Sequence, residues 1–245
     1  TEIKISLDPL PDPIEIVVAA HFESIHESMK SAQVAMKHEV TAVELMDKII
    51  LDCTKESIEY SKNRYFVEGD PKALLMIEFR GKTLEEAMAK GEALIADLKA
   101  AGYGYAYPII EPEKVASAWA LRAAGLGLLG NIPGDPKAVA CIEDTAVDIT
   151  DLADYIDELD GILAGFNQNP VHYAHAGAGE IHMRPILDLK KAEDVEEFYQ
   201  ISLASAKLVK KYQGSLSGEH GDGRVRAAFI PMMVGDKNYQ LFRRI

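Results

Sequence analysis

The chain has 245 residues, 48% of them hydrophobic, and is long enough to bury the core of one large domain or two small ones. Its formal net charge of −13 and pI near 5.0 argue against nucleic acid or an anionic membrane surface as the main partner, because both recruit clustered lysines and arginines. Cys53 and Cys141 lie far apart and lack the spacing of a disulfide framework or of a cysteine metal site. We therefore expect a reducing, cytoplasmic setting.

No transmembrane segment is predicted. The richest apolar stretch, 115–129, is interrupted by Arg122 and does not reach membrane-spanning length. The chain begins at Thr1 rather than at a methionine and ends in the helix-like pattern 241–245, so we expect a piece of a longer protein. That longer protein could be cytoplasmic or peripheral to a membrane.

In the first half of the chain, hydrophobic periodicity predicts strands that alternate with helices. The predicted strands are 14–22, 73–79 and 103–110. The predicted helices are 24–38, 42–57, 83–101 and 111–122. Thr83 and Glu86 form a capping box at the start of the third of these helices, in which the two side chains satisfy free backbone amides.

In the second half, the glycines between 125 and 134 predict a flexible connection. Beyond it, strands are predicted over 139–142, 172–175 and 181–187, and helices over 150–166 and 192–212. With no Rossmann fingerprint and no linker, residues 1–245 are predicted to form a single α+β domain. Its fold would be a largely antiparallel sheet with helices on one face, built from two ferredoxin-like strand–helix–strand units.

Two histidines flank the glycine-rich turn between the last two predicted strands. Because the turn brings the strand ends side by side, the imidazoles of His175 and His182 could reach one metal ion. Strand alternation places His182 and Arg184 on one face and turns Ile181 and Met183 into the core. The alternative is that both histidines merely cap strand ends and bond to the backbone.

Glu219 and His220 are neighbours in a second glycine-rich segment. Adjacent side chains of extended backbone project to opposite sides, so one could bind a metal while the other addresses a substrate. An ordinary tight loop is the alternative. A phosphate-binding turn is a poor fit, because no strand precedes the segment and no helix is predicted after it.

Arg122 and Lys137 are two cations that could form an anion pocket. Arginine offers a bidentate fork to a carboxylate and lysine a point charge, so together they would hold a small organic acid. Taken singly, each is an ordinary surface or salt-bridged residue, paired for example with Glu143 or Asp144. These two acidic residues are expected at a solvated strand end.

The chain resembles the C-terminal cap domain of the FAD-linked oxidases, a flavoprotein family of D-2-hydroxy acid dehydrogenases that includes D-lactate dehydrogenases and the glycolate oxidase flavoprotein subunit. The motifs that carry the resemblance are Trp119-Ala-Leu-Arg122, Lys137, Glu143-Asp144-Thr-Ala-Val147, the segment from His175 to His182, and Gly214-Ser-Leu-Ser-Gly-Glu219-His220-Gly221. The resemblance implies an α+β cap that closes over FAD held mainly by a separate FAD-binding domain, which this chain does not contain.

The resemblance also implies roles for individual residues. His175, His182 and Glu219 would bind zinc or a similar divalent ion, and His220 would be the catalytic base. Arg122 and Lys137 would hold the carboxylate of a small D-2-hydroxy acid, which is oxidised to the 2-oxo acid by hydride transfer to the flavin. The hydroxy acid, the metal and the downstream electron acceptor stay open.

The chain departs from the family pattern at several positions. Glu180 ends the Gly177-Ala-Gly-Glu180 turn where many members have Gly-Asp-Gly-Asn, so Gly179 and Glu180 are candidate cofactor contacts with altered chemistry. Leu126 replaces a frequent threonine. Arg184 replaces an asparagine and would add a second anion contact that favours a longer or more acidic hydroxy acid.

Two other functions are compatible with the same residues. One is a self-contained divalent-metal hydrolase, in which His220 or Glu180 activates a water. The other is a non-catalytic binding or assembly domain whose histidines are structural. A hydrolase would turn over esters or amides without flavin, and a binding domain would hold no stoichiometric metal.

Overall fold

The computed structural model describes residues 2–7, 9–55 and 57–245. Within these ranges the strands are β1 (Ile14–Phe22), β2 (Val40–Asp47), β3 (Ala73–Gly81), β4 (Ile109–Ile110), β5 (Lys137–Ala138), β6 (Ile142–Ala146), β7 (Val171–His175), β8 (Glu180–Arg184) and β9 (Ile186–Leu187). The α-helices are α1 (Ile25–Ala35), α2 (Lys48–Cys53), α3 (Leu84–Ala101), α4 (Pro112–Leu128), α5 (Leu152–Gly165), α6 (Ala192–Lys211), α7 (Gly223–Arg226), α8 (Ile230–Val234) and α9 (Asp236–Phe242).

Seven strands form one sheet in the order β4-β1-β3-β2-β7-β8-β6, and each recorded pair is antiparallel. The first half follows a βαββαβ path with the order 4-1-3-2 of a ferredoxin-like unit. The second half repeats the path from β6 to α6, and a single bridge from Ser215 to Ala146 lies where a fourth strand would pair with β6. The predicted α+β sheet is therefore confirmed, and the two units join through β2 and β7.

The two faces of the sheet are covered differently. On one face, residues such as Ile16 and Leu45 pack with α1, α3, α5 and α6 in the larger core. On the other face, residues such as Val17 and Met46 pack with α2 and α4 in a second core. The four helices on the first face agree with the prediction, whereas α2 and the long helix α4 form a layer on the opposite face that was not predicted. On this same face, the strands β7 and β8 carry polar side chains.

The predicted helix 42–57 is wrong. Residues Val40–Asp47 form the strand β2, and only Lys48–Cys53 is helical. β2 lies between β3 and β7 and is buried on both faces near Leu45 and Met46, so its sequence lacks the alternation that marks a half-exposed strand. Asp47 ends the strand and caps α2, because its carboxylate accepts a hydrogen bond from the amide of Ile50 at 2.8 Å.

Two further segments differ from the prediction. Of the strand predicted over 103–110, only β4 and an isolated bridge at Ala106 pair with β1, and Pro108 between them has no amide hydrogen to donate. The predicted flexible connection at 125–134 is partly helical, since α4 continues to Leu128. Gly125 permits the close approach of α4 to α2, because a Cβ there would lie 2.5 Å from the Ile50 side chain.

Most other predicted elements are confirmed to within a few residues, including the helices α3, α5 and α6 and the strands β1, β3 and β7. The strand predicted over 139–142 lies between β5 and β6, overlapping β6 only at Ile142. Pro185 divides the strand predicted over 181–187 into β8 and β9. Among residues 2–7, 9–55 and 57–245, no helix combines the length and apolar character that a membrane crossing requires.

His172 on β7 links the helix α5 to the end of the neighbouring strand β2. Its Nε2 lies 2.9 Å from Asp160 Oδ1, and its backbone amide donates to Asp47 Oδ2 at 2.7 Å. Burial disfavours the imidazolium, but the hydrogen bonds and charges of Asp160 and Asp47 outweigh it and raise the pKa of His172 to about 9. Between pH 6.5 and about 9, the His172 ring is therefore mostly charged in the folded protein and mostly neutral in the unfolded chain.

We expect His172→Gln to destabilise the chain most below pH 6.5, by on the order of 3 kcal/mol or less. Because the folded-state pKa is raised, the contribution is complete below the unfolded pKa and is lost as pH rises through about 9. Urea unfolding of both proteins from pH 6 to 10 measures the difference. His26→Gln, at an exposed histidine paired with Asp157, is the control. A difference that stays constant over this range would contradict the prediction.

Candidate metal and substrate site

A β-bulge in β6 turns Asp144 into the protein. Ile142 pairs with Met183 and Thr145 with Ile181, so Glu143 and Asp144 together oppose a single residue of β8. Asp144 adopts a left-handed conformation with φ 73° and is fully buried. The expectation that Glu143 and Asp144 lie at a solvated strand end is therefore wrong, because the bulge directs both inward.

The Asp144 carboxylate holds the loop that carries Glu219 and His220. Oδ1 accepts a hydrogen bond from the amide of Glu219 at 2.8 Å, and Oδ2 accepts one from the amide of His220 at 2.9 Å. The Ser217 hydroxyl donates to Oδ2 as well. Burial alone would raise the pKa of Asp144, but hydrogen bonds from Glu180, Ser217 and the two amides hold it well below its usual range. The carboxylate is therefore ionised and anchors the loop.

The strands β7 and β8 form a hairpin that places the histidines on one face. His175 pairs with Glu180 and Tyr173 with His182, so their side chains share that face. Ile181 and Met183 belong to the larger core on the opposite face, as predicted. The turn between the strands needs Gly179, which has φ 70° and whose Cβ would lie 2.1 Å from the Val147 carbonyl oxygen. This packing accounts for Gly179 without a cofactor contact.

Four side chains converge at the end of this hairpin. Ligand atoms of His175, Glu180, His182 and Glu219 all lie within 4.8 Å of one another. His175 Nε2 is 3.6 Å from Glu219 Oε1, and His182 Nε2 is 3.7 Å from Glu180 Oε1. The structure thus brings together the three predicted metal ligands, and it adds Glu180, which was predicted to contact a cofactor.

The donor set fits a divalent cation. Glu180 Oε1 and His182 Nδ1 are buried and have no hydrogen-bond partner among the described parts of the chain. Burial and the neighbouring Asp144 carboxylate raise the pKa of Glu180 to about 8, and burial lowers the pKa of His182. A cation bound by two imidazoles and two carboxylates would compensate the charge that Glu180 and Asp144 crowd into one place.

His220, the predicted base, lies beside these donors. Its Nε2 is 3.0 Å from Glu219 Oε1, and its ring stacks on His182 with centroids 5.6 Å apart. About half of its side chain is exposed. The imidazole can therefore reach a bound molecule, while its backbone is fixed through Asp144.

The predicted substrate cations are engaged by the protein itself. Arg122 is buried and forms an ion pair with Glu44. Arg184 forms a two-point ion pair with Glu143, at 2.6 Å and 3.0 Å. Lys137 lies on β5, and its ammonium donates to backbone carbonyls of its own loop, including that of Gly134 at 2.8 Å. Because Arg122 is paired with Glu44 and Lys137 with its own loop, the structure does not show the predicted two-cation clamp.

Sequence reasoning missed Glu44, Tyr173 and the inward role of Asp144. The sequence predicts a helix at Glu44, whereas its position on the strand β2 brings it next to His175. Tyr173 lies two residues before His175, and strand alternation alone predicts the shared face. No local signal predicts the bulge at Asp144.

Comparison with known proteins places the chain in a family. Residues 13–245 match the family described as FAD linked oxidases, C-terminal domain. The chain belongs to this family. The predicted resemblance to the cap domain of the FAD-linked oxidases is thereby confirmed.

Relatives with assigned names include bacterial dehydrogenases. The chain is 31% identical over 243 residues to a D-2-hydroxyglutarate dehydrogenase of Pseudomonas putida, an alignment that covers 96% of this chain and 24% of that protein. It is 32% identical over 235 residues to one of Haemophilus influenzae, covering 91% and 22%. The glycolate oxidase subunit GlcD of Bacillus subtilis is 25% identical over 245 residues, covering 96% and 48%. The chain spans about a quarter of the length of the D-2-hydroxyglutarate dehydrogenases it matches.

Solved structures share the fold. A substrate-bound p-cresol methylhydroxylase superposes with a TM-score of 0.62 at 12% identity, covering 95% of this chain and 50% of that chain. An alkyldihydroxyacetonephosphate synthase superposes with a TM-score of 0.54 at 12% identity, covering 93% and 43%. At this identity, the likeness supports the architecture alone.

We expect Asp144→Asn to weaken binding of Zn²⁺ to the chain by roughly 10- to 100-fold, because the loop that carries Glu219 loses its anionic anchor. The unfolding free energy should fall by about 1–3 kcal/mol, since buried amides lose a charged acceptor. Calorimetric titration with Zn²⁺ and thermal unfolding measure the two effects. Asp135→Asn, at an exposed carboxylate paired with Lys190, is the matched control. Equal Zn²⁺ affinity in Asp144→Asn and wild type would contradict the anchoring role.

Proposed function

We propose that residues 1–245 form the metal- and substrate-binding cap domain of an FAD-dependent dehydrogenase that oxidises a D-2-hydroxy acid to the 2-oxo acid. The observation that carries the proposal is the convergence of His175, Glu180, His182 and Glu219 beside His220. Family membership and the names of the relatives support the reaction class. The FAD would be held mainly by an FAD-binding domain of the same protein, and the electron acceptor beyond it stays open.

The four converging side chains would hold the metal, for which we favour zinc because imidazole and carboxylate are its usual ligands. When bound, the metal supplies a Lewis acid that polarises the substrate hydroxyl, and the flavin supplies the hydride acceptor. The chain's own residues position the substrate and move its proton. Of these donors, His175 also lines a cavity of about 280 Å³, together with Met36 and Glu44.

His220 is the proton acceptor in this proposal. Its Nε2 lies next to Glu219 and its ring stacks on His182, so the imidazole is held over the donors while half of its side chain stays accessible. Imidazole exchanges a proton near neutral pH, as removal of a hydroxyl proton requires. Asp144 fixes the His220 backbone, which limits the positions that the ring can adopt.

Arg184 is the cation that we assign to the substrate. It shares a face with His182 and keeps part of its side chain exposed, although Glu143 holds its guanidinium. A second carboxylate on the substrate would bind the Arg184 guanidinium together with Glu143. This accords with relatives named for D-2-hydroxyglutarate, a dicarboxylic acid. The family resemblance implies that Arg122 and Lys137 hold the first carboxylate, but Arg122 is paired with Glu44, so we do not assign it to the substrate.

For the complete flavoprotein, we expect D-2-hydroxy acid to reduce a dye and His220→Asn to lower kcat by roughly 10²- to 10⁴-fold with stoichiometric zinc retained. His175→Ala should lose zinc and activity together. Stopped-flow flavin reduction and metal analysis measure both, with His26→Ala as the control at an exposed histidine.

Residues 1–245 alone should bind zinc and should not oxidise the hydroxy acid. Ester or amide hydrolysis by this chain without flavin would instead support the self-contained hydrolase. A folded chain without stoichiometric metal, whose melting temperature does not respond to chelator, would support the non-catalytic binding domain.

Arg184→Ala in the complete flavoprotein should raise KM for a dicarboxylic D-2-hydroxy acid by roughly 10-fold or more, because the distal carboxylate loses a charge-assisted contact. KM for D-lactate, which has no second carboxylate, should change much less. Steady-state kinetics with both substrates provides the comparison. Equal changes for both acids, or none, would contradict the assignment.

A further inference from the structure

Glu44 lies directly beside His175 in the sheet. Leu45 pairs with Ala174 in the antiparallel register between β2 and β7, so Glu44 is the cross-strand neighbour of His175 on the same face. His175 Nδ1 is 2.8 Å from Glu44 Oε2 and 3.1 Å from Oε1. The other ring nitrogen, Nε2, faces Glu219 among the metal donors. The carboxylate and the donors therefore contact opposite sides of one imidazole.

Arg122 holds Glu44 from the far side. Its Nη2 forms the ion pair with Glu44 Oε2, and it also donates to the Ala174 carbonyl oxygen at 3.3 Å. Nη1 donates to the Tyr173 hydroxyl, and the guanidinium carbon lies 4.1 Å from the centre of the Tyr173 ring. Only 10% of the Arg122 side chain and 15% of the Glu44 side chain are exposed. The cation, and through it the carboxylate, is thus fixed in position.

We propose that Glu44 is a positioning residue, which accepts the Nδ1–H of His175 and so fixes the tautomer that leaves Nε2 free to bind the metal, with Arg122 as its fixed counter-ion. A histidine ligand that donates its second N–H to a carboxylate is held in orientation and made more basic. The inference rests on the proposed metal site and adds to it a residue from the other ferredoxin-like unit.

Two simpler roles for Glu44 account for less of the geometry. As a fifth metal ligand it would have to lie on the Nε2 side of His175, whereas its oxygens contact Nδ1. As a purely structural partner of Arg122, Glu44 would only form a buried ion pair. Well-packed apolar residues commonly stabilise a protein as much as such a pair does, so stability alone does not explain it. Neither role requires the contact to His175.

The test uses the 245-residue chain with Zn²⁺ alone and histidines labelled with ¹⁵N. We expect the wild-type His175 ring to show the Nδ1–H tautomer at the high-pH end of its titration, where the ring is neutral. Glu44→Gln should convert it to a tautomer mixture and weaken Zn²⁺ binding by roughly 10- to 100-fold in calorimetric titration. Glu39→Gln, at an exposed carboxylate just before β2, is the matched control and should change neither quantity.

Should Glu44→Gln fail to fold by circular dichroism, the double variant Glu44→Gln/Arg122→Met removes the stranded cation and is compared in the same way. The Nε2–H tautomer in wild-type chain, or Zn²⁺ affinity within twofold of wild type in a folded Glu44 variant, would overturn the inference. A wild-type chain that shows the Nδ1–H tautomer but binds no Zn²⁺ would instead contradict the proposed metal site. The two failures are therefore distinguishable.

Discussion

The buried Asp144 carboxylate is the interaction on which the site depends. One extra residue in β6 turns this side chain inward, where it accepts the amides of Glu219 and His220. Without such an acceptor, the amides of Glu219 and His220 would lose the hydrogen bonds that fix this part of the loop beside the histidines. A charged acceptor is suited to this task, because hydrogen bonds to an ionised group are roughly twice as strong as neutral ones. The cost is a crowded negative charge next to Glu180, which a bound cation would relieve.

The two ferredoxin-like units have different roles. The first unit is mainly scaffold, with β1 and β3 buried by helices on both faces. In the second unit, the same face of the sheet that packs against α2 and α4 in the first unit carries polar side chains instead. The seam between β2 and β7 is where the units meet, and there Glu44 and Arg122 reach across to His175. Carboxylates therefore surround the histidines from β2, β6, β8 and the loop after α6, which suits a site built around a cation.

Much of the fold was predictable because long amphipathic helices and the strands of the larger core carry strong periodicity. The helices α3, α5 and α6 follow from their apolar spacing and caps. β2 was not predictable in this way, since a strand buried on both faces shows no alternation and its assignment depends on its neighbours β3 and β7. That single error also hid Glu44, because a helix would not have placed its carboxylate in register with His175.

By itself, the sequence determined the family, the α+β class and the residue types of the site, because glycine-flanked histidines and carboxylates at these spacings are specific motifs. Strand alternation also settled which of His182 and Ile181 faces the site. Only the tertiary structure decided that Glu180 lies among the three predicted metal ligands, that Arg122 and Arg184 are paired with Glu44 and Glu143, and that Asp144 is buried. Arg184 and Glu143 are 41 positions apart, and Asp144 binds amides 75 and 76 positions away, so no local pattern encodes these contacts.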